Sequence, residues 1–420
     1  MKIIHTSDWH LGRSFGPISL RGDQEAFCDW FVELVRDEAA DLVVIAGDLY
    51  DRAIAPIESI ALFRDTAGRL LADGTVVAAI TGNHDGADRV APYAELLDLS
   101  RFYLRGGYDR VGSVITHAFA DGPLDIVLLP YLDPRAAPDE FGEPAGTGNE
   151  PDQAVPAGST GDGVQAVPAG STGDGAQALV ARRHTRTHQS VLETAAATAR
   201  ASCRSPRSIA VAHAFVTGGT ESESERALVV GGTGAVDASV FDGFSAVALG
   251  HLHRPQRIGS NDRLAYSGTP LAYSFSEDHP KSVRIIDLDA DGEMSVRTEP
   301  VPAGRPVRTI EGSITTLLDP RAHPDAHGAF VRAIVTDRET VLDAKSRLAA
   351  TYPMIAEIQL RPDGLLPETL AASVSTASRR RAPIDAVHDF WEAVEGAAPD
   401  GAVDTLLVDA TTRASEAVVA

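Results

Sequence analysis

Along the first third of the chain, the hydrophobic and polar positions alternate between the pattern of buried strands and the pattern of amphipathic helices. Runs of consecutive apolar residues, typical of buried strands, occupy residues 42–46 and 76–80, and residues 2–6 form a further strand pattern around Ile3 and Ile4. Between these runs, residues 23–40 and 57–71 repeat apolar side chains at helical spacing. Buried strands that alternate with helices are typical of layered folds with a largely parallel sheet. The pattern therefore predicts an α/β domain at the N-terminus.

Strand patterns return in the middle of the chain, after a segment of different composition. Residues 134–178 are rich in Pro, Gly, Ala, Ser and Thr, and a 12-residue repeat begins at Gln153 and again at Gln165. A short polar repeat cannot bury enough apolar surface to order itself. We therefore expect a disordered surface insertion without catalytic content. Further strand patterns follow at residues 208–212 and 246–249.

The last third of the chain predicts a smaller domain and a helical tail. Residues 283–288 and 295–300 flank a hairpin-type turn at Asp291-Gly292. Residues 306–362 mix strand-like runs with a helical stretch, which indicates an α+β domain, and residues 383–395 have helical periodicity. The division that we expect is an α/β domain over residues 1–280, an α+β domain over residues 281–375 and a helical tail over residues 376–420.

Composition narrows the class of protein. The chain has 420 residues, of which 44% are hydrophobic, as in ordinary globular proteins of two or three domains. No apolar run approaches the roughly 20 residues that span a bilayer. The N-terminus enters a strand pattern at once, without the layout of a signal peptide. Cys28 and Cys203 match no metal or disulfide spacing. We therefore expect a cytoplasmic protein that has no membrane partner.

The formal net charge of −22 limits how the chain could meet nucleic acid. Non-specific affinity for nucleic acid comes from neutralised phosphates, so this balance argues against a protein that coats DNA by itself. It does not exclude a nuclease, but a partner or a local basic path would have to supply the attraction. The sequence contains two arginine runs, Arg182-Arg183 and Arg379-Arg380-Arg381. They either contact phosphate or are solvated surface residues, and the sequence favours neither interpretation.

Five of the apolar runs end in groups that can bind a metal. These groups are Asp8 with His10, Asp48, Asn83, His213, and His251 with His253. A single histidine after a strand is more often structural, but α/β sheets bind their ligands at the carboxyl ends of their strands, where all these groups fall. Nitrogen and oxygen ligands without thiolate favour Mn²⁺, Fe²⁺ or Zn²⁺. Two such cations stabilise the attacking and departing oxygens of a displacement at phosphorus, so we predict phosphoester hydrolysis.

The motifs around these groups resemble a known family. They are Asp8-Trp9-His10-Leu11-Gly12, Gly47-Asp48-Leu49-Tyr50-Asp51, Gly82-Asn83-His84-Asp85, His213 to Gly218, Gly250-His251-Leu252-His253-Arg254-Pro255, Tyr266 to Pro270 and Ser274-Phe275-Ser276-Glu277. In this order they resemble the calcineurin-like metallophosphoesterases and, with the C-terminal extension, the SbcD nuclease family. The resemblance implies a two-sheet αββα sandwich, a small α+β capping domain and a C-terminal helical tail.

The resemblance also implies roles for the site residues. One metal would be held by Asp8, His10 and His253, the other by Asn83, His213 and His251, with Asp48 bridging. His84 would stay off the metals and stabilise the pentacovalent phosphorus or protonate the leaving 3′ oxygen. Asp85 could orient His84 or serve as a turn residue. Asp51 could support the ligands from behind or merely end a strand. We interpret the acidic run at residues 221–225 as a solvated loop.

The implied activity is that of a Mn²⁺-dependent DNA nuclease in repair, recombination and replication. It would act as a 3′→5′ exonuclease on duplex ends and as an endonuclease on hairpins or single strands. Its partner would be an SbcC-type ATPase with a long coiled coil, and the chain would form a homodimer within a heterotetramer. Phe390 and Trp391 in the tail are predicted to dock on that ATPase, although they could also be ordinary core residues.

Two other functions remain open at this point. The first is a stand-alone phosphodiesterase or phosphatase for a small substrate, which the acidic charge favours and the long C-terminal extension opposes. The second is a DNA-end tethering scaffold whose metal site is degenerate. Such a scaffold would be expected to lack a ligand, whereas all seven predicted ligand positions carry a suitable residue.

Overall fold

The computed structural model describes residues 1–141, 186–225, 234–339, 341–362, 384, 387–388, 391 and 399–419. The predicted insertion lies outside the described residues from position 142 onward, as do both arginine runs and Phe390. Within the described ranges, no helix combines the length and the apolar character needed to span a membrane. The chain divides into two compact units. Unit 1 comprises Met1–Glu311, Thr315–Ala333 and Asp343–Ile358, and unit 2 comprises Gly312–Ile314, Ile334–Leu342 and Gln359–Ala420.

Strands and helices alternate along the described residues. The strands are β1 (Lys2–Thr6), β2 (Ser14–Phe15), β3 (Ile18–Ser19), β4 (Leu42–Ala46), β5 (Val76–Ile80), β6 (Phe102–Arg105), β7 (Val114–Phe119), β8 (Gly122–Leu129), β9 (Ser208–His213), β10 (Ala246–Gly250), β11 (Gln256–Arg257), β12 (Leu264–Tyr266), β13 (Ser282–Leu288), β14 (Met294–Pro300), β15 (Val307–Gly312), β16 (Phe330–Val335) and β17 (Ile355–Leu360). The helices are α1 (Arg21–Asp37), α2 (Ile57–Ala72), α3 (Ala87–Val90), α4 (Ala94–Asp98), α5 (His188–Ser202), α6 (Ile314–Leu318), α7 (Ala344–Ala349) and α8 (Gly401–Val419).

Two six-stranded sheets organise unit 1. The first has the order β14-β13-β1-β4-β5-β6, and the second has the order β11-β12-β10-β9-β8-β7. In the first sheet β1, β4, β5 and β6 run parallel, and β13 is antiparallel to β1. In the second sheet β8, β9, β10 and β12 run parallel, and antiparallel β7 and β11 form its edges. In each sheet the carboxyl ends of the parallel strands therefore lie at one edge, where such sheets bind their ligands.

The two sheets pack face to face with helices outside. Val44 and Ala78 of the first sheet share a buried cluster with Ile126 and Val211 of the second. The outer face of the first sheet is covered by α1 and α2, and that of the second by α5. Because helices and the other sheet cover both faces, β4, β5 and β10 are buried at every position. The predicted αββα sandwich is confirmed.

The hairpin of β13 and β14 extends the first sheet beyond the boundary that we expected at residue 280. Strand β13 pairs with β1, with Ile285 opposite Ile4. Val283 and Ile285 are buried in the cluster beneath α1, so the hairpin completes the sandwich core. The sandwich thus continues to Pro300, and the remaining domain division stays a prediction.

A three-stranded sheet in the order β15-β16-β17 follows the sandwich, together with α6 and α7. Phe330 of this small α+β region stacks on Phe15 of the sandwich, with ring centroids 4.5 Å apart and planes within 6°. The Arg332 guanidinium lies 4.4 Å above the ring of Phe275. These contacts, all within unit 1, give the α+β region a hydrophobic connection to the sandwich. Helix α8 belongs to unit 2.

Candidate metal centre

The predicted ligands all lie just after, or at the end of, parallel strands from both sheets. Asp8 and His10 follow β1, Asp48 follows β4, Asn83 follows β5, His213 ends β9, and His251 and His253 follow β10. Six of the seven are buried, and Asn83 is half-buried. The face-to-face packing of the sheets brings the two sets of strand ends together, so the seven residues form one cluster.

The first group consists of Asp8, His10 and His253, whose ligand atoms all lie within 4.8 Å of one another. The Nε2 atoms of His10 and His253 are 3.2 Å apart. The backbone N–H of His251 donates to both oxygens of Asp8, at 3.0 and 3.2 Å, and so fixes that carboxylate. The three side chains of this group can surround a single ion.

The second group centres on the amide oxygen of Asn83. This oxygen lies 2.9 Å from Nε2 of His213 and 3.3 Å from Nδ1 of His251. The other ring nitrogen of His213, Nδ1, lies 2.9 Å from the carbonyl oxygen of Ala46. Because a carbonyl only accepts, that Nδ1 carries the proton and leaves Nε2 with its lone pair toward the site.

Asp48 connects the two groups through a single oxygen. Its Oδ2 lies 3.6 Å from Nε2 of His10 and 3.5 Å from Nε2 of His213. This is the arrangement expected of a carboxylate shared by two cations. Its other oxygen, Oδ1, accepts a hydrogen bond from the backbone N–H of His84 at 2.9 Å.

Backbone strain is concentrated at these residues. Asp8, His10, Asp48 and His251 have φ angles of 54°, 43°, 48° and 109°. Side-chain-bearing residues rarely adopt this left-handed region, and each such residue costs of order 1–3 kcal/mol unless its surroundings impose it. The strain aims four predicted ligands at one point, which is typical of a functional site.

The electrostatics of the cluster fit bound cations. Burial holds the pKa of His10 and of His251 well below the usual range, so both imidazoles are neutral and can act as ligands. Burial and the nearby charge of Asp48 raise the pKa of Asp8 well above its usual range. Crowded carboxylates beside neutral, buried imidazoles fit a divalent metal site.

His84 lies beside the cluster with its ring centroid 4.7 Å from that of His10. Its Nδ1 lies 2.9 Å from the backbone carbonyl oxygen of Asp51, so Nδ1 donates and the Nε2 edge points away from that carbonyl. The carboxylate of Asp51 lies 3.9 Å from Nδ1 of His10 and 3.5 Å from Nη1 of Arg13. The main chain of Asp51 therefore orients His84, while its side chain supports the ligand set from behind.

The carboxylate of Asp85 stabilises the surrounding loops instead of orienting the His84 ring. Its carboxylate accepts the backbone N–H groups of Leu49, Tyr50 and Gly82, at 3.1, 2.9 and 2.9 Å. Burial and the charge of Asp48 raise the pKa of Asp85 to about 7. Asp85 thus ties the loop after β4 to the loop after β5 and sets the distance between Asp48 and the loop that carries Asn83.

Two residues of the acidic run interpreted as a solvated loop support His253 instead. Oγ of Ser224 lies 2.6 Å from Nδ1 of His253 and donates to Oε1 of Glu277. Glu225 accepts the backbone N–H of His253 at 2.8 Å. Burial acts to raise the pKa of Glu277, but Lys281 and the hydrogen bond to His253 outweigh it, so that pKa lies below its usual range.

This relay from His253 through Ser224 to Glu277 fixes the proton on Nδ1 and frees Nε2 for a metal. Sequence reasoning missed it because the loop approaches His253 only in three dimensions. The segment Ser274-Phe275-Ser276-Glu277, which resembles the family, was a signal available in the sequence.

Comparison with known families agrees with this geometry. Residues 1–133 match the calcineurin-like phosphoesterase family. Residues 303–395 match SbcD_C, the family described as the Type 5 capsule protein repressor C-terminal domain. The segment between the two matches contributes His213, His251 and His253, which the fold places against the ligands of the first match. The chain therefore carries a calcineurin-like phosphoesterase domain followed by an SbcD_C domain, and this order matches the architecture of an SbcD nuclease.

Proposed function

We propose that this protein is a metal-dependent DNA nuclease whose active site is the seven-residue cluster with His84 beside it. The observation that carries the proposal is the position of Asp48 Oδ2, 3.6 Å from His10 and 3.5 Å from His213. One carboxylate oxygen between two ligand groups suits a pair of divalent cations. Imidazole, carboxylate and amide ligands suit Mn²⁺, Fe²⁺ and Zn²⁺, and the resemblance to the SbcD nucleases favours Mn²⁺ among these candidates.

The chain's own groups supply positioning and proton transfer. Two cations, when bound, stabilise the attacking and leaving oxygens of an in-line displacement at phosphorus. His84 is held by its Nδ1–H bond to the Asp51 carbonyl. In the doubly protonated imidazolium, the opposite nitrogen, Nε2, then carries the N–H that stabilises the pentacovalent phosphorus or protonates the leaving 3′ oxygen. Neutral His10 and His251 keep both lone pairs available for metal binding.

The finer features of the proposal rest on the SbcD_C match and the architecture. We infer 3′→5′ exonuclease activity on duplex ends and endonuclease activity on hairpins or single strands, in DNA repair, recombination and replication. The partner is an SbcC-type ATPase, docked on the tail at Phe390 and Trp391. Trp391 is half-buried, and Phe390 lies outside the described residues.

An exposed apolar surface supports a homodimer. Ile54 and Ile57 are 70% and 82% exposed, and Leu96 and Leu99 are 65% and 83% exposed. Ile54 lies in the loop before α2, and Leu99 directly follows α4. Large exposed aliphatic side chains are typical of protein interfaces. We infer that two copies of the chain pair through this surface. A purified chain that sediments only as a monomer at micromolar concentration would contradict this inference.

A nuclease assay tests the central proposal. Purified protein with Mn²⁺ is incubated with labelled hairpin or blunt-ended duplex DNA, with and without the ATPase. We expect cleavage that is lost on removal of the metal and in the variant His84→Gln.

The second candidate is a small-substrate phosphodiesterase, which the net charge of −22 favours because an acidic surface repels DNA. Hydrolysis of small phosphodiesters with no cleavage of DNA, even with the ATPase present, would establish this candidate instead. A protein that tethers DNA ends without hydrolysing either substrate would be a scaffold.

A further inference from the structure

An open cleft of about 410 Å³ lies beside His84 and is lined by Arg13, Ser14, Asp51 and Arg52. We propose that Arg13 and Arg52 form a phosphate-binding subsite for the DNA phosphate next to the one that is hydrolysed. The inference rests on the proposed nuclease function and adds to it a place where the acidic protein holds the substrate strand.

Arg13 is held in place before any substrate binds. Its Nη2 donates to the carbonyl oxygen of Ser224 at 3.2 Å, and its Nη1 lies 3.5 Å from Oδ1 of Asp51. Its guanidinium carbon lies 4.9 Å above the ring of Tyr273, and the side chain is only 17% exposed. A guanidinium has five N–H donors in a fixed plane, so these contacts leave donors for a phosphate at little further entropic cost.

Arg13 is separated from the predicted metal ligands by one layer of side chains. The Tyr273 ring, on which Arg13 stacks, packs against His10 with ring centroids 5.3 Å apart. The Asp51 carboxylate likewise stands between Arg13 and His10, at 3.5 and 3.9 Å. A phosphate held by the ligand cluster is therefore separated from Arg13 by these two side chains. The phosphate that Arg13 can reach is its neighbour on the strand.

Arg52 is the second positively charged side chain that lines the cleft. It is exposed and makes no hydrogen bond or ion pair with any residue that the structure describes. A free arginine in a cleft is available to pair with phosphate oxygens, for which its planar fork is well matched. The cleft thus contains two arginines against the single carboxylate of Asp51.

The proposed subsite explains how a protein with a large negative net charge binds a negatively charged DNA strand. A chain with 37 basic and 59 acidic side chains repels DNA at long range, so affinity must come from local cations. Because Arg13 and Arg52 share the cleft with His84, phosphate bound there aligns the strand with the catalytic imidazole. A small substrate with a single phosphorus gains nothing from this subsite.

Binding without metal gives the first test. Fluorescence anisotropy of a short fluorescein-labelled single-stranded DNA is measured with wild type, Arg13→Gln and Arg52→Gln in EDTA at several salt concentrations. We expect each variant to weaken binding about five- to tenfold. The slope of log affinity against log salt should fall by about 0.7 for each lost contact. Arg64→Gln, which removes an exposed charge on α2 outside the cleft, is the matched control and should retain wild-type values.

Substrate selectivity gives the second test. With Mn²⁺, kcat/KM is measured for the same DNA and for bis(p-nitrophenyl) phosphate, which has one phosphorus. We expect the ratio of the two values to fall about tenfold in Arg52→Gln and Arg13→Gln relative to Arg64→Gln. An equal loss on both substrates would overturn the subsite, because the arginines would then act on the reacting phosphate.

The remaining outcomes also decide the question. If Arg52→Gln equals Arg64→Gln in both tests, the subsite does not exist. If circular dichroism shows that Arg13→Gln is unfolded, the result for Arg52→Gln alone decides whether the subsite exists, because the Arg52 side chain has no contact to lose. A wild type that hydrolyses neither substrate would refute the proposed nuclease, whereas the salt slopes in EDTA would still confirm or refute the phosphate subsite.

Discussion

Nδ1 of His84 lies 2.9 Å from the backbone carbonyl oxygen of Asp51, and this one contact orients the imidazole. Since the acceptor is main chain, the orientation depends on the course of the loop after β4 and not on the side chain at position 51. The same loop carries Asp48, which accepts the backbone N–H of His84. Two hydrogen bonds thus fix the imidazole of His84 relative to the carboxylate of Asp48.

The first prediction concerns His84 itself. His84→Gln should lower phosphodiester hydrolysis at least about a hundredfold, because general acid catalysis contributes that much or more. Metal content, measured by inductively coupled plasma mass spectrometry, should stay at two ions per chain, since His84 is not assigned as a ligand. Loss of one ion in this variant would instead make His84 a ligand, which its position near His10 and Asp48 also allows.

The second prediction tests the relay behind His253. Ser224→Ala removes the acceptor of the His253 Nδ1–H and should weaken Mn²⁺ binding about 10- to 100-fold, as is typical when such a supporting hydrogen bond is lost. Isothermal titration calorimetry on metal-free protein measures the change. Ser113→Ala, which removes a hydroxyl from the loop before β7, serves as the control. Equal affinities in the two variants would show that the relay does not position the ligand.

The third prediction concerns the close approach of β4 to His213. A Cβ atom at Gly47, where φ is 92°, would lie 2.2 Å from Nδ1 of His213. Gly47→Ala should therefore displace His213, weaken metal binding and destabilise the fold by about 2 kcal/mol or more. Gly68 on α2 has open space around it, so Gly68→Ala should stabilise by about 0.5–1 kcal/mol. Urea unfolding of both variants provides the comparison, and equal stabilities would contradict the predicted clash.

The fourth prediction concerns pH and the ion pair between Asp121 and buried Arg207. Arg207 donates to both carboxylate oxygens of Asp121 and to the carbonyl oxygens of Leu288 and Asp289, so it connects β8 and β9 to the end of β13. The hydrogen bond to Arg207 lowers the pKa of Asp121 below its usual range. A lowered folded-state pKa means that the pair stabilises the fold above about pH 4 and that this contribution is lost as the pH falls further.

Thermal unfolding of Asp121→Asn across pH tests this sign. The variant should be less stable than wild type at neutral pH, and the difference should shrink as the pH falls below about 4. Asp319→Asn, at an exposed pair with Arg321, should leave stability close to that of wild type at every pH, because solvent screens such pairs. A stability difference for Asp121→Asn that stays constant down to low pH would show that the carboxylate charge does not matter.

The fifth prediction concerns the tail. Changing both Phe390 and Trp391 to Asp should abolish co-purification with an SbcC-type ATPase, because an apolar docking face cannot accept two carboxylates. Metal-dependent hydrolysis of a small phosphodiester by the isolated chain should persist and serves as the control for folding. Unchanged co-purification would refute the docking role.

Much of the architecture was predictable because burial leaves a simple pattern. The strands predicted at residues 42–46 and 76–80 match β4 and β5 to the residue, since both faces of each are covered and every position is apolar. The clustering of the seven predicted ligands was predictable because α/β sheets bind their ligands at the carboxyl ends of their strands. The hairpin of β13 and β14 was also visible from its turn, but the sheet that it joins was not.

The supporting contacts could not be predicted from the sequence. Any residue offers a backbone carbonyl, so nothing at position 51 marks it as the acceptor for His84. Ser224 and Glu225 lie in an acidic run whose composition indicates a solvated loop, and only the approach of that loop to His253 reveals their role. Asp85 allowed two interpretations because a carboxylate in a turn can face either its own backbone or a neighbouring imidazole.

The pairing of β13 with β1 has a consequence for how the protein is made. A strand near residue 285 completes the sheet that begins at residue 2, so a nascent chain emerging from the ribosome leaves β1 as an open edge until the hairpin appears. Unpaired edges of buried, apolar strands are templates for aggregation. We therefore expect fragments that end before Ser282 to be insoluble, because β1 then lacks its partner strand.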